Sequence, residues 1–217
     1  MKSNTYNRRR VFGTVTSVIL GLFFLVSVLL PLIAVMTNLK NADWNAIFSH
    51  PQTVPAIWNS IKVSVTATLF SIVLAFAAAW CVNRAGLRHT AVFDVLLVMP
   101  MLIPSISHGT GLIILFGDNG IIKNLLGLKG SIYGFWGIVF GSMMYAFPIA
   151  YLMISDILRY ENSTPYEAAE ALGIPKKNRF FAITLPYLKK PMISVIFAVF
   201  TAIVTDYGVP LMVGGMY

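Results

Sequence analysis

The sequence has little charge and only one cysteine. Of its 217 residues, 11% are charged, whereas a soluble domain carries about 25% charged residues. The composition therefore excludes an ordinary water-soluble domain. The single cysteine, Cys81, excludes an internal disulfide and any site that needs several cysteine ligands.

Motifs that would support catalysis are also missing. The sequence contains no His-Glu-x-x-His, no Gly-x-Ser-x-Gly and no phosphate-binding loop. Its three histidines, His50, His89 and His108, lie far apart without the spacing of metal ligands. We therefore predict no catalytic residue, no metal site and no cofactor bound by this chain.

The basic residues do not form a nucleic-acid-binding patch, although the net charge is +8. A nucleic-acid-binding domain would concentrate them on one polar face. Here they occur in short segments between apolar runs, as the positive-inside rule describes for membrane proteins. Nucleic acid is therefore not an expected partner, whereas membrane lipid is.

Long apolar runs are what the sequence has in abundance, since 57% of its residues are hydrophobic. Five runs reach the roughly 20 residues that cross a bilayer: 11–36, 57–82, 91–116, 132–157 and 191–213. The first is too long for the apolar core of a signal peptide, so we expect an uncleaved helix. The pattern predicts an all-α polytopic transmembrane bundle over residues 11–217, after a basic tail over residues 1–10.

Lysine and arginine predict the orientation of the bundle. Twelve occur in the tail and in the loops after the second and fourth runs, against three or four elsewhere. This asymmetry places the N-terminus and the loop 158–190 in the cytoplasm. Five spans then end outside, directly after an apolar run. We therefore expect that a sixth span is missing and that the chain is truncated after Tyr217.

The loop between the fourth and fifth runs has the signals of a helical hairpin. Thr164 and Glu167 have the spacing of a capping box that begins a helix. Gly173 stands where a left-handed residue ends a helix. Pro175 can open a second helix, and Pro186 is predicted to end it.

This hairpin resembles the EAA signature of binding-protein-dependent ABC importer permeases. The matching residues, at the spacing of the signature, are Glu167, Ala168, Ala169, Gly173, Ile183, Leu185 and Pro186. The resemblance implies a permease fold like that of methionine importers, in a bacterial cytoplasmic (inner) membrane. It also implies a coupling role for the hairpin, which docks on the ATP-binding ABC subunits where ATP is bound and hydrolysed. Further implied partners are a second permease subunit or permease half and an extracytoplasmic solute-binding protein.

The first helix of the hairpin presents a small apolar face. Ala168, Ala171 and Leu172 follow the three-to-four-residue spacing of one helix face. Such a face suits close docking against another protein. The alternative is an amphipathic loop that lies on the membrane surface.

Two ionisable residues lie within the apolar runs, where charge is costly and functional sites are common. His108 and Asp206 each lie roughly 22–26 Å along a helix that enters from the cytoplasm. The prolines and glycines around each residue indicate a broken or kinked helix, which at this depth is tolerated where it lines protein or a water-filled cavity. We expect both to face the translocation path near its outer mouth and to favour a cationic or zwitterionic solute. The alternative is that Asp206 caps a helix break or forms a pair within the bundle.

Two further stretches bear on the solute. Residues 116–121 are similar to a loop of permeases for ferric iron, 2-aminoethylphosphonate and spermidine or putrescine. Residues 205–210, followed by Gly214 and Gly215, are similar to the phosphonate and iron members of that group. We expect 2-aminoethylphosphonate or a similar ion first, then ferric iron, then a polyamine. The alternative class is a secondary transporter or channel without an ATPase.

Small residues recur on the fourth run and indicate close helix packing. Gly137 and Gly141 form a Gly-x-x-x-Gly pair, with Ala146 and Ala150 further along. We expect this face to pack within the bundle.

Overall fold

A computed structural model describes residues 2–40, 42–84 and 90–214 of the chain. Every regular element in these ranges is helical, which confirms the all-α prediction. The elements are α1 (Lys2–Leu39), α2 (Trp44–Ser49), α3 (Thr53–Arg84), α4 (Thr90–Val98), a 3₁₀ turn (Met99–Leu102), α5 (Ser105–Phe116), α6 (Ile121–Leu126), α7 (Phe135–Arg159), α8 (Thr164–Ala171), α9 (Lys176–Arg179), a π turn (Phe180–Thr184), α10 (Leu185–Val204) and α11 (Gly208–Val213). The chain divides into two compact units, residues 1–55 and 56–217.

The first unit consists mainly of one long apolar helix. The side chains of residues 12–39 of α1 are exposed to the surroundings, as expected of a helix that faces lipid. After α1, Asp43 accepts a hydrogen bond from the backbone N–H of Ala46 at 3.0 Å and so caps α2.

The second unit has a core built from small and β-branched side chains. Fully buried positions on α3 include Ala67, Ala75 and Ala79, and they cluster with buried residues of α7 and α10. The residues from those two helices are Val139, Ala146, Ala150, Tyr151, Ile154, Leu158, Leu188, Val195, Val199 and Ile203. Small residues let helices approach closely where lipid supplies no hydrophobic drive between them.

Within the described ranges, four helices are long and apolar enough to cross a membrane, or five if one bent pair counts as a span. The four are Phe12–Leu39, Thr53–Arg84, Phe135–Arg159 and Lys176–Val204. A multi-pass helical membrane protein is therefore confirmed, although two of the predicted runs differ from the helices observed.

The predicted third run, 91–116, is a broken helix, as the prolines and glycines around His108 indicate. It breaks after the 3₁₀ turn, and the axes on the two sides of the break differ by 96°. Pro104 lies at the break as the N-cap of α5, where it cannot continue the preceding helix. The estimate that His108 lies 22–26 Å along a straight helix is therefore wrong.

The predicted fifth run, 191–213, also has different limits. Its helix begins well before Pro191 and ends at Val204, and α11 starts only at Gly208. The glycine and proline that follow Asp206 in the sequence indicate the break around it. Continuity on the N-terminal side is not predicted by the sequence, because Pro186 favours a stop.

The small residues of α7 pack inside the unit, as predicted. A Cβ atom on Gly137 would lie 2.7 Å from Val213 Cγ1, and one on Gly141 would lie 2.5 Å from Val209 Cγ1. Both valines belong to α11. The two glycines thus let α11 lie directly against α7.

Candidate functional site

The predicted hairpin is present, and its turn is well defined. Gly173 has a φ of 70°, a conformation that side chains with a Cβ rarely adopt. The N–H of Ile174 donates to the carbonyl of Ala169, and that of Gly173 donates to the carbonyl of Glu170, each at 2.9 Å. These are the two bonds of a Schellman motif, so the turn predicted at Gly173 is confirmed.

The beginning of α8 differs from the predicted capping box. Thr164 is already inside the helix, and Ser163 precedes it without a side-chain capping bond. Instead, the side chain of Asn162 accepts from the N–H of Thr164 at 3.0 Å. The N-cap assignment of Thr164 is therefore wrong. The helix begins one residue earlier than predicted, and the N–H of Thr164 donates to Asn162.

The second helix of the hairpin does not end at Pro186. From Lys176 the chain runs through α9, the π turn and α10 as one helical path to Val204. Within the π turn, the N–H of Leu185 donates to the carbonyl of Phe180, five residues back. This wider turn shifts the hydrogen-bond register, so that Pro186 lies in the first turn of α10 and its missing N–H is tolerated.

The outer face of α8 is open. Ala168, Ala171 and Leu172 are all exposed, and Leu172 is 77% exposed. Ala169, about 100° around the helix from Ala168, is 6% exposed. Of these two signature residues, Ala168 therefore lies on the face that a partner could cover, whereas Ala169 packs inward and supports the hairpin.

The remaining signature residues lie at the base of the hairpin. Ile183 is half-buried within the π turn, whereas Leu185 and Pro186 are exposed at the start of α10. Together with Glu167, which is exposed on α8, they place the signature on both sides of the Gly173 turn.

His108 is buried inside the helical packing. It is 5% exposed, and its ring meets that of Tyr145 edge-on at 6.4 Å between centroids. Nδ1 lies 3.3 Å from the carbonyl oxygen of Pro104, and Nε2 is buried without a hydrogen-bond partner. In this chain His108 therefore packs between helices, and its predicted role on the path remains a prediction.

Asp206 lies in the break between α10 and α11. Its two carboxylate oxygens accept from the N–H groups of Gly208 and Val209 at 3.2 and 3.1 Å. The side chain thus caps α11, which agrees with the alternative that it stabilises a helix break. Capping and a role on the path are compatible, since Asp206 also borders a cleft.

This cleft, which we name the Asp206 cleft, has a volume of about 140 Å³ and is lined by both polar and apolar side chains. It lies between α3, α7 and the α10–α11 break, and its polar lining residues are Asn59, Ser60, Ser64, Ser142 and Asp206. His108 does not line it. The structure therefore places the two predicted path residues in different surroundings.

A family model for the inner membrane component of binding-protein-dependent transport systems matches residues 71–217, well over half of the chain. This chain belongs to that family. The permease is accordingly a transport subunit and not a catalytic enzyme.

Curated relatives of the permease belong to several transport systems. It is 25% identical over 198 residues to a probable sulfate transport system permease protein of Helicosporidium sp. subsp. Simulium jonesii, covering 89% of this chain and 73% of that protein. It is 32% identical over 136 residues to a molybdenum transport system permease protein of Haemophilus influenzae, covering 61% and 59%. It is 24% identical over 220 residues to a ferric transport system permease protein of Actinobacillus pleuropneumoniae, covering 95% and 32%.

Three polar contacts that stiffen the permease's hairpin were missed from the sequence. Arg179 forms an ion pair with Glu170 at 3.1 Å and donates to the carbonyl of Ile174 at 2.6 Å, which ties the two helices across the turn. Tyr166 turns inward, and burial together with its hydrogen bond to Glu161 raises the pKa of its hydroxyl. The basic residues after Gly173 are compatible with the contacts of Arg179, but no sequence signal indicates the contact of Tyr166.

Proposed function

We propose that the permease is the transmembrane subunit of an ATP-driven importer that moves a small ion across the cytoplasmic membrane. The observation that carries this proposal is the rigid hairpin with an open face on α8. Its turn is held by two backbone bonds at Gly173, and the exposed Leu172 lies beside it. In a family of binding-protein-dependent transport components, such a face suits docking of an ATP-binding subunit.

The proposed partners follow from this arrangement. ATP-binding subunits would cover α8 in the cytoplasm, and an extracytoplasmic binding protein would deliver the solute. A second permease subunit or half would complete the path, as the resemblance to importer permeases implies. The cytoplasmic N-terminus is proposed from the lysine and arginine distribution.

The relatives add candidate solutes to those expected from the sequence. Their names specify sulfate, molybdenum and ferric transport. We propose a small ion of this kind, with 2-aminoethylphosphonate and the polyamines kept as further candidates. A secondary transporter without an ATPase is less favoured, because the family is defined by dependence on a binding protein.

Reconstitution tests this function directly. The permease would be expressed with its neighbouring genes, purified and placed in liposomes with each candidate binding protein. We expect an ATP-binding subunit to co-purify and one of sulfate, molybdate, ferric iron, 2-aminoethylphosphonate, putrescine or spermidine to stimulate ATP hydrolysis. If no ATP-binding subunit co-purifies and no ion stimulates hydrolysis, the secondary-transporter alternative is favoured.

Asp206→Asn tests whether the carboxylate at the Asp206 cleft acts on the solute. The amide can still accept one of the two backbone hydrogen bonds, so we expect only about 1 kcal/mol of lost capping. If the charge contacts the solute, uptake falls by much more than protein level does. Uptake assays with immunoblotting would measure both.

Asp118→Asn is the matched control, because Asp118 is 74% exposed and pairs only with Lys123 among the ion pairs described. We expect it to leave uptake unchanged. Normal uptake in Asp206→Asn at normal protein levels would restrict Asp206 to capping α11.

A further inference from the structure

The end of α3 is joined to the base of the hairpin by a group of polar side chains. Arg84, the last residue of α3, forms an ion pair with Glu161, which precedes α8. The hydroxyl of Tyr166 on α8 donates to the other oxygen of Glu161 at 2.5 Å. It also contacts the hydroxyl of Thr184 in the π turn. We name Arg84, Glu161, Tyr166 and Thr184 the base clamp.

Burial makes these contacts specific. The Glu161 side chain is 3% exposed and that of Arg84 is 32% exposed, and Thr184 is fully buried. A carboxylate removed from water needs its partners, and loss of one partner leaves an uncompensated charge. The clamp is therefore held more firmly than an ion pair on an exposed surface.

Stacking adds to the ion pair at Arg84. Its guanidinium carbon lies 5.1 Å from the centroid of the Tyr166 ring and 5.9 Å from that of Trp80. A planar guanidinium can pair with a carboxylate while stacking on rings, whereas a lysine ammonium provides a single point of charge. The site thus favours arginine over lysine.

The protons of the clamp can be assigned. Tyr166 has one hydroxyl proton, and the carboxylate of Glu161 accepts it. Thr184 must then donate its own proton to the Tyr166 oxygen. Thr184 thus donates to Tyr166, and Tyr166 donates to Glu161. The clamp joins α3, the segment before α8, α8 itself and the π turn.

A cavity of about 380 Å³ lies beside the clamp. It is bordered by Trp80 and Arg84 of α3, by Tyr166 and Glu170 of α8, and by Lys176, Arg179, Phe180 and Thr184. Trp80 of α3 meets Phe180 of the π turn edge-on beside this space, with 5.2 Å between ring centroids. This ring contact and the polar contacts of the clamp therefore link the hairpin to α3 around a space that side chains do not fill.

We propose that Arg84, Glu161 and Tyr166 are positioning residues that transmit movement of the hairpin to α3. The inference rests on the proposed function, in which an ATP-binding subunit pushes on α8. A hairpin held only by its chain connections and by the contact between the Trp80 and Phe180 rings could pivot under that force. The clamp adds a further attachment, so that α3 moves together with the hairpin.

The rigidity of the link can be measured without any partner. Exposed Cys81 would be replaced by Ser, and nitroxide labels placed on Val73→Cys of α3 and Lys177→Cys of α9, both exposed positions. Electron–electron double resonance on the full chain in nanodiscs should give a narrow distance distribution. Arg84→Gln should broaden it, whereas Lys123→Gln, which removes a different ion pair, should leave it narrow.

Coupling is measured in the reconstituted complex with whichever ion of the panel above stimulates the wild type. We expect Arg84→Gln and Glu161→Gln each to lower ions transported per ATP by about five-fold or more. Basal ATP hydrolysis should be retained. The double variant should lose less than the two single variants combined, because it leaves no unpaired buried charge. Arg84→Lys should rescue transport only partly.

The outcomes separate the two proposals. A wild type without substrate-stimulated hydrolysis contradicts the importer function, whatever the resonance result. The clamp proposal is overturned if the wild type couples transport to hydrolysis and Arg84→Gln changes neither the ions transported per ATP nor the distance distribution. If Arg84→Gln fails to fold, Tyr166→Phe serves in its place, because it keeps the ring beneath Arg84 and removes only the hydroxyl.

Discussion

Gly173→Val is expected to uncouple transport from ATP hydrolysis. The residue has a φ of 70° in the turn of the hairpin, and an L-residue with a Cβ in this conformation costs roughly 1–2 kcal/mol. A residue with a β-branched side chain is among those that adopt this left-handed conformation least readily. The turn would relax, the open face of α8 would change direction, and hydrolysis would continue without transport. Simultaneous assays of uptake and phosphate release in liposomes would measure the ratio.

Gly173→Asn is the matched control, since asparagine adopts the left-handed conformation more readily. A Cβ at this position would have no atom within 4 Å, so the two variants differ in backbone preference and not in a steric clash. We expect Asn to retain most of the coupling. Equal transport by the valine variant and the wild type would show that the turn does not carry the force.

Gly208→Val is expected to destabilise the whole of the second unit. A Cβ at this position would lie 2.6 Å from the backbone nitrogen of Ile106, and a backbone atom cannot rotate away. Helices α5 and α11 would have to separate, and overpacking of this kind costs roughly 1–3 kcal/mol. A lower melting temperature in detergent and less folded protein by size-exclusion chromatography would be the readouts.

Gly111→Val is the control for this effect. Gly111 also lies in a helix, on α5, but a Cβ added there would have no atom within 4 Å. We expect a melting temperature close to that of the wild type. If both variants melt alike, the close approach of α5 and α11 does not limit stability.

The helical hairpin shows how far local signals extend. Gly173 predicted the turn correctly, because a left-handed residue and its two backbone bonds involve neighbours within five positions. The predictions for Thr164 and Pro186 were wrong because they also used local preferences alone. Thr164 favours an N-cap position, but Asn162 accepts from the first N–H of the helix. Pro186 favours the end of a helix, but the π turn places it in the first turn of α10.

The path residues show where local reasoning stops. The apolar surroundings of His108 and Asp206 identified them as unusual, but their depth was inferred from straight helices. The 96° bend before α5 invalidates that inference for His108. The roles of both residues in transport, and those of the EAA residues in docking, remain predictions.

The sequence by itself determined the membrane class, the helical architecture and the Gly173 turn, because each depends on composition or on residues a few positions apart. Only the tertiary structure decided which polar groups meet. Arg84 and Glu161 are 77 residues apart, and the Asp206 cleft is lined by side chains from α3, α7 and the α10–α11 break. Such contacts depend on how bent and broken helices pack, and hydrophobic periodicity contains no information about that packing.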